Sequence, residues 1–303
     1  MGAGFWALYV AFAGLDADDL LEQLRGGHYV WAFPVLLVTV VTHVLRALRW
    51  ELLLHRIGQP THLGRTFSAI LVSYLASYAV PRVGEGLRCV LVGGRDSARL
   101  AGLFGTVVVE RATDVLCLFV VGLLAASRVS DTLWATLRAG GWAKVEPLLG
   151  FWWPMAVVGL AGLLYFLRRY WRVYGLRFRE GLLAFWQLER PWLFVGYSIL
   201  IWMGYFGMTY LWFFAFTESQ DLGVLEGLLL VFVGGVARSL PIQGGGMGAY
   251  HWLFSRTAAE LGAPLLVGQS LAVVIHGFQS VFYLIGGGLA WFYLYLCFYQ
   301  KKF

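Results

Sequence analysis

Long apolar runs separated by short polar segments dominate the pattern of this chain. A helix needs about 20 apolar residues to cross a bilayer, and several of these runs reach or exceed that length. The runs occupy Val30–Val44, Leu100–Ala126, Phe151–Leu167, Trp192–Phe216, Val224–Val236 and Leu265–Phe298. The opening stretch, MGAGFWALYVAFAGLDADDL, lacks the basic start of a signal peptide and predicts a short first helix. The pattern predicts an all-α integral membrane protein with about six to eight transmembrane helices.

Composition supports the same class of protein. Of the 303 residues, 59% are hydrophobic and only 13% are charged, whereas soluble domains carry about 25% charged residues. We therefore expect a single membrane domain over residues 1–303. Signatures such as Gly-x-Ser-x-Gly and His-Glu-x-x-His are missing from the sequence, so we expect neither an enzyme nor a bound cofactor. Cys89, Cys117 and Cys297 are widely spaced and are interpreted as small core residues.

The distribution of charge predicts the orientation of the chain. The connection LDADDLLEQLRGG after the first helix is acidic, and the net charge of +6 comes from basic clusters elsewhere. These clusters are Arg46, Arg49, His55, Arg56 and Arg65 after the second helix, the segment RRYWRVYGLRFRE, and Lys301 with Lys302 at the end. By the positive-inside rule, both termini and the basic clusters are cytoplasmic in an inner membrane. The segment from Leu167 to Pro191 is expected to lie on the inner surface, and nucleic acid is not an expected partner.

Two apolar segments end at a proline and are too short to span comfortably. TFSAILVSYLASYAVP ends at Pro81, seventeen residues after Gly64, and LEGLLLVFVGGVARSLP ends at Pro241, eighteen residues after Gly223. Each predicts a half-helix that enters the membrane, breaks and returns to its own side. Paired broken helices in matching positions point to a transport site at the interface of two repeats. We expect approximate inverted repeats over residues 1–127 and 150–298, joined by a loop at 128–149.

Charged residues follow the first break and recur inside the next span. Arg82, Glu85 and Arg88 surround the break, and non-helical backbone with charge at membrane depth is tolerated where it lines a wet cavity. The alternative is a break at the membrane interface, where the arginines extend to lipid phosphates. Glu110 and Asp114 are four residues apart and share one face of a helix, with Arg111 about 100° round it. We expect arginines, with Arg82, Arg88 and Arg238 as candidates, to compensate these carboxylates. A purely structural salt-bridge network is the alternative.

The second break has a different composition. Arg238 precedes Pro241 by three residues, and Gln243, Gly244, Gly245 and Tyr250 follow in QGGGMGAYHW. Glycines let the backbone approach a ligand closely and expose amides that attract anions. His276 lies in the last long run, either hydrogen-bonded within the bundle or carrying protons. We predict that these residues complete a binding site with the charges of the first break.

Four segments in order resemble the motifs of the lysylphosphatidylglycerol synthase transmembrane family, the flippase-like domain proteins. They are LRALRWELLLHRIG, VPRVGEGLRCVLV, GTVVVERATDVL and LPIQGGGMGAYHWLF. The resemblance assigns family motif positions to Arg82, Gly84, Glu85, Arg88, Glu110, Arg111 and Asp114. Tyr250 and His251 stand where the family usually has an acidic residue after its glycines. No synthase domain follows in this sequence, so the resemblance implies the membrane module alone.

The favoured hypothesis is a lipid translocase that moves an anionic phospholipid or a polyprenyl-phosphate-linked lipid between leaflets. Arginines at the two breaks would hold the head group. An ion-coupled transporter of a small anion is the first alternative, and a membrane scaffold for a lipid- or glycan-modifying enzyme is the second. Expected partners are therefore lipid and membrane, with a second copy of the chain or a membrane enzyme as further candidates.

Overall fold

The computed structural model describes residues 8, 9, 11, 12, 16–94, 96–126, 175–239 and 243–299, and every regular element in these ranges is helical. The first group of helices is α1 Ala17–Arg25, α2 Ala32–Arg56, α3 Leu63–Ala79, α4 Val83–Gly93 and α5 Ser97–Ala125. The second group is α6 Leu176–Leu183, α7 Pro191–Tyr210, α8 Val224–Ser239, α9 Ala249–Glu260 and α10 Leu265–Tyr299. The all-α class predicted from the sequence is confirmed for the described ranges.

Three helices are long and apolar enough to cross a membrane, within the part of the chain that the structure covers. They occupy Tyr29–Arg56, Pro191–Ala215 and Leu265–Cys297. The first two ranges are α2 and α7 with one flanking 3-10 turn each, and the third is α10 without its last two residues. Helix α5 has 29 residues, a rise of about 43 Å, but Arg99, Glu110, Arg111 and Asp114 interrupt its apolar sequence. Buried charge in a helix of this length has to be compensated by its neighbours.

The order of helices around the two breaks is repeated. In the first half a long helix, α2, precedes the short pair α3 and α4, and a second long helix, α5, follows. In the second half, α7, α8, α9 and α10 follow the same order. The packing is also exchanged between halves: α3 packs against α10, α8 packs against α5, and α2 packs against α7. These pairings bring both breaks to one interface, while residues 128–149 lie outside the described ranges.

The structure adds an element that the sequence pattern missed. The acidic segment interpreted as a connection contains α1, whose N-terminus is capped by the Asp16 carboxylate, which accepts from Asp18 N at 3.0 Å. Of the first helix predicted before it, the structure describes Leu8, Tyr9, Ala11 and Phe12, all helical. Short acidic helices are easily overlooked, because their polar residues resemble those of a loop.

Helix α6 holds part of the basic stretch that was expected to lie on the membrane surface. It packs against the beginning of α5 at a crossing made by small residues. A Cβ atom added to Gly181 would lie only 2.1 Å from Gly102 O, so the two backbones touch there. The beginning of the predicted surface stretch, residues 167–174, lies outside the described ranges.

Candidate functional site

The first break is a tight turn between α3 and α4. Helix α3 ends at Ala79, Val80 is extended, and Arg82 adopts a left-handed conformation with φ of 64° before α4 begins. Arg82 is the only non-glycine with positive φ among the residues described. Such a conformation costs about 1–2 kcal/mol for an ordinary residue. The two helices then fold back closely, because Gly84 packs directly against Ser73 O, where a Cβ atom would be 1.9 Å away.

The second break is built from glycines. Helix α8 ends at Ser239, and Gly244 and Gly245 have left-handed φ values of 66° and 67° before α9. His276 of α10 donates from Nε2 to Gly244 O at 2.9 Å, and this bond ties the turn to α10. This contact matches the interpretation of His276 as a histidine hydrogen-bonded within the bundle. Pro241 and the side chain of Gln243 lie outside the described part of the chain.

One hydrogen bond joins the two breaks. Arg82 donates from Nη2 to Ser239 O, the last carbonyl group of α8, at 2.8 Å. Next to this bond, Gly245 lies against the ring of Tyr78, with only 3.3 Å between the ring and a Cβ atom placed on the glycine. The two breaks predicted independently from the sequence therefore meet in space.

Two carboxylates of α5 occupy the centre of a buried ion-pair network. Glu110 is fully buried and lies 2.8 Å from Arg88 Nη2 and 3.4 Å from Arg49 Nη2. Asp114 lies 2.9 Å from Arg49, 3.3 Å from Arg46 and 3.5 Å from Arg111. Each carboxylate is thus shared by two or three guanidinium groups, which offsets the cost of burying charge.

Glu85 extends the network from α5 to the helix after the first break. Its two oxygens lie 3.1 Å from Arg88 Nη2 and 3.1 Å from Arg111 Nε. Among the described residues, the ion-pair network therefore contains four arginines, Arg46, Arg49, Arg88 and Arg111, and three carboxylates, Glu85, Glu110 and Asp114. It joins α2, α4 and α5.

The prediction that arginine compensates Glu110 and Asp114 is confirmed for Arg88, but two of its candidate partners were wrong. Arg82 bonds to the end of α8, and Arg238 lies over the Tyr250 ring with its Cζ atom 4.2 Å from the centroid. Arg46 and Arg49 instead pair with these carboxylates, in the positions expected for Arg82 and Arg238. Both had been interpreted as charges of a cytoplasmic connection, and that was also wrong: they are 1% and 0% exposed in the middle of α2.

A pattern in α2 could have revealed these two arginines. Thr39, Thr42, His43, Arg46 and Arg49 lie on one face of α2, each three or four residues from another member of the set, and all are buried. A polar stripe of helical period on a membrane helix indicates a face turned toward the protein interior. The stripe bonds to α7, since Arg46 Nη1 donates to the Tyr205 hydroxyl and Arg49 Nη1 donates to Ser198 Oγ at 3.2 Å.

A cavity of about 520 Å³ lies between the ion-pair network and the two breaks. Its charged lining consists of Arg46, Arg82, Glu85, Arg111, Asp114 and Arg238. Gly245 and Tyr250 line it as well, so seven of the residues predicted for the site face one space. Arg88 and Glu110 lie behind the lining in the ion-pair network, while Gly244 and His276 lie behind the glycine turn.

Some residues of the cavity lining carry buried hydrogen-bond donors that have no partner. Arg46 leaves Nε and Nη2 unpaired, Arg238 leaves Nη2 unpaired, and Trp202 leaves its indole N–H unpaired, considering the described side chains. An unmet buried donor costs about 1–3 kcal/mol, so several around one cavity indicate a place for a ligand rich in acceptors. Tyr74, Tyr78, Tyr205 and Tyr283 complete an aromatic wall.

Comparison with known proteins assigns the chain to a family. Residues 2–287 match the family described as Lysylphosphatidylglycerol synthase TM region. No curated protein and no solved structure matches the chain. The family match covers both breaks, the ion-pair network and all the helices that line the cavity. The chain therefore belongs to the family of the lysylphosphatidylglycerol synthase transmembrane region, a lipid-related family of membrane proteins.

Proposed function

We propose that this protein is a membrane lipid translocase that moves an anionic phospholipid or a polyprenyl-phosphate-linked lipid between leaflets. The head group is held in the cavity between the two breaks. The acyl chains stay in the hydrocarbon core. The proposal assigns no chemical step to the protein, since its residues bind and release the head group without changing it.

The observation that carries the proposal is the charge of the cavity lining. Four guanidinium groups, Arg46, Arg82, Arg111 and Arg238, face two carboxylates, Glu85 and Asp114, which leaves two positive charges in excess (4 − 2 = 2). Arginine remains charged in a dry site and binds phosphate oxygens through paired donors. A positive cavity with unpaired donors in a membrane protein suits a lipid phosphate.

The apolar part of the lining suits the rest of a lipid. Val115 and Leu118 of α5 line the cavity together with Leu230 and Val231 of α8. Val115 is 66% exposed, so this side of the cavity reaches the outer surface of the helices. A head group could therefore enter sideways while its chains remain in lipid, where apolar surface is favourable.

The same proposal includes the arrangement in the membrane. Helices α3 and α8 are re-entrant half-helices, one in each half of an inverted repeat. Alternating rocking of the two halves opens the cavity to each leaflet in turn. Both termini are cytoplasmic, in an inner membrane, with the basic segment near α6 on the same side. The repeated helix order and the exchanged packing of α3 with α10 and of α8 with α5 support this arrangement.

Two alternatives make different predictions about the cavity. A transporter of a small anion would hold its solute apart from lipid, whereas apolar residues here continue from the arginines toward the outer surface. A scaffold for another membrane enzyme would need no internal space, whereas the described helices enclose about 520 Å³. Both observations favour the translocase.

Leaflet exchange in proteoliposomes tests the proposal. Dye-labelled phosphatidylglycerol is incorporated into vesicles with the full chain, and a membrane-impermeant quencher reports how much dye reaches the outer leaflet. The wild type should expose nearly all the dye, whereas the Arg82→Gln, Arg238→Gln double variant should leave the inner half protected. Arg99→Gln, which changes an arginine 57% exposed outside the cavity, is the matched control. Equal exchange by the folded double variant would rule the proposal out.

A further inference from the structure

We infer that the cavity selects a terminal phosphate monoester, which carries two negative charges, over a phosphate diester, which carries one. This inference rests on the proposed function and narrows its substrate class. The lipid would end in a free phosphate group, as in a phosphatidate or a polyprenyl phosphate. The shared chemistry is the dianionic phosphate group itself.

The first step is that the two carboxylates of the lining are already paired with arginine. Both oxygens of Glu85 lie 3.1 Å from guanidinium nitrogens of Arg88 and Arg111. Both oxygens of Asp114 are likewise engaged, by Arg49 on one side and by Arg46 and Arg111 on the other. Each of the four carboxylate oxygens therefore lies within 3.3 Å of an arginine nitrogen, and the excess charge of the lining is two.

The second step is that residues behind the lining do not remove this excess. Arg49, Arg88 and Glu110 lie within the ion-pair network, and together they add one further positive charge (2 − 1 = 1). In a site of low dielectric constant an uncompensated charge is costly, and the cost falls when a ligand of opposite and equal charge binds. A dianion offsets two of these positive charges, whereas a monoanion offsets only one.

The third step is the number of free donors. Arg46 offers Nε and Nη2, Arg238 offers Nη2, and Trp202 offers its indole N–H. A phosphate monoester has three terminal oxygens that accept hydrogen bonds, whereas a diester has two. The two arginines lie on different helices, α2 and α8, so one phosphate group between them would contact both halves of the protein. The donors and the charge thus indicate the same head group.

Binding of matched lipids to the purified full chain tests the inference. Short-chain phosphatidate and short-chain phosphatidylglycerol differ in head-group charge but share their acyl chains. At about pH 8 the monoester carries close to two charges. One extra charge-assisted hydrogen bond changes affinity by about tenfold to a hundredfold. We expect phosphatidate to bind at least tenfold more tightly than phosphatidylglycerol, measured by native mass spectrometry.

Two variants separate the effect of charge from the effect of a neutral hydrogen bond. Arg238→Gln removes one positive charge, so it should weaken phosphatidate more than phosphatidylglycerol and reduce the preference toward unity. Trp202→Phe removes a neutral donor and keeps a ring, so it should weaken both lipids by a similar factor of about threefold to tenfold. Equal affinities in the wild type, or an unchanged preference in Arg238→Gln, would overturn the inference.

The same lipids distinguish the inference from the proposed function. Rapid leaflet exchange of both lipids without any preference leaves the translocase intact and refutes the selectivity for monoesters. A tenfold preference in binding without any leaflet exchange supports the selectivity and refutes the translocase. Inorganic phosphate identifies the source of the group: if it fails to displace bound phosphatidate at equal concentration, the ligand is a lipid. Displacement would instead assign the site to the free anion and refute a lipid ligand.

Discussion

The two breaks solve the same structural problem with different chemistry. At the first break, Arg82, Glu85 and Arg88 surround the turn, and the last two join an ion-pair network that includes fully buried Glu110. At the second break, the turn consists of glycines fixed by a neutral hydrogen bond from His276. Its arginine, Arg238, lies over an aromatic ring and forms no ion pair among the described residues.

This difference predicts that the two halves differ in rigidity. A network of shared ion pairs has a single good geometry, because moving one member leaves buried charges unmatched. A glycine turn with one neutral bond has more freedom. We therefore expect the first half to be the rigid base of the cavity and the second half to be the part that adapts to a ligand. The ring contact leaves Arg238 Nη2 without a hydrogen-bond partner, so we expect Arg238 to contact the ligand.

The largest effect is expected from removing the central charge of the rigid half. Glu110→Gln leaves Arg49 and Arg88 without their shared carboxylate, so we expect a loss of about 3–5 kcal/mol in the free energy of unfolding. Unfolding in detergent, followed by circular dichroism, measures it. Glu180→Gln is the control, because its carboxylate is 54% exposed and pairs with Arg177 at the surface of α6. Equal stability of the two variants would show that the network is not the base of the fold.

A smaller effect is expected at the close packing of the first break. Gly84→Ala places a Cβ atom 1.9 Å from Ser73 O, so α3 and α4 must separate. Overpacking of this kind costs about 2–3 kcal/mol. Gly86→Ala is a control in the same helix, since its nearest neighbour would be 3.5 Å away. We expect the control to be neutral or slightly stabilising in a thermal unfolding assay. Similar losses in both variants would contradict the packing argument.

The smallest effect is expected at the second break. His276→Phe keeps a ring of similar size but removes the donor to Gly244 O, which should cost about 1–2 kcal/mol. Amide hydrogen exchange should increase in the glycine turn while α4 and α5 stay protected. His276→Gln, which can still donate, should recover part of the protection. Exchange that increases throughout the protein would show that the second half is as rigid as the first.

Much of this architecture can be predicted from the sequence. Apolar runs predict the helical class, and Pro81 predicts the end of α3, because proline cannot continue a helix. The four-residue spacing of Glu110 and Asp114 predicts that they share a face. Arg46 and Arg49 were assigned to the wrong environment because the apolar run ends at Val44, and arginine just beyond the end of an apolar run normally follows the positive-inside rule. Their burial depends on α7, which is far away in sequence, so spacing alone does not show it.

The partners of Arg82 and Arg238 also depend on contacts between distant segments. Both arginines were candidates to compensate the carboxylates of α5, because two carboxylates on one apolar face need a positive charge nearby. Instead, Arg82 bonds to the last carbonyl of α8, and Arg238 lies over the ring of Tyr250. Sequence spacing predicts which residues share a helix face, whereas tertiary packing decides which faces meet.

A density map of the protein in lipid nanodiscs containing phosphatidate tests the central claim most directly. The account predicts a compact phosphate density within hydrogen-bond distance of Arg46 and Arg238, with its acyl chains leaving the cavity past Val115. A map in which the cavity holds only water, or an acyl chain with no density near either arginine, would contradict it.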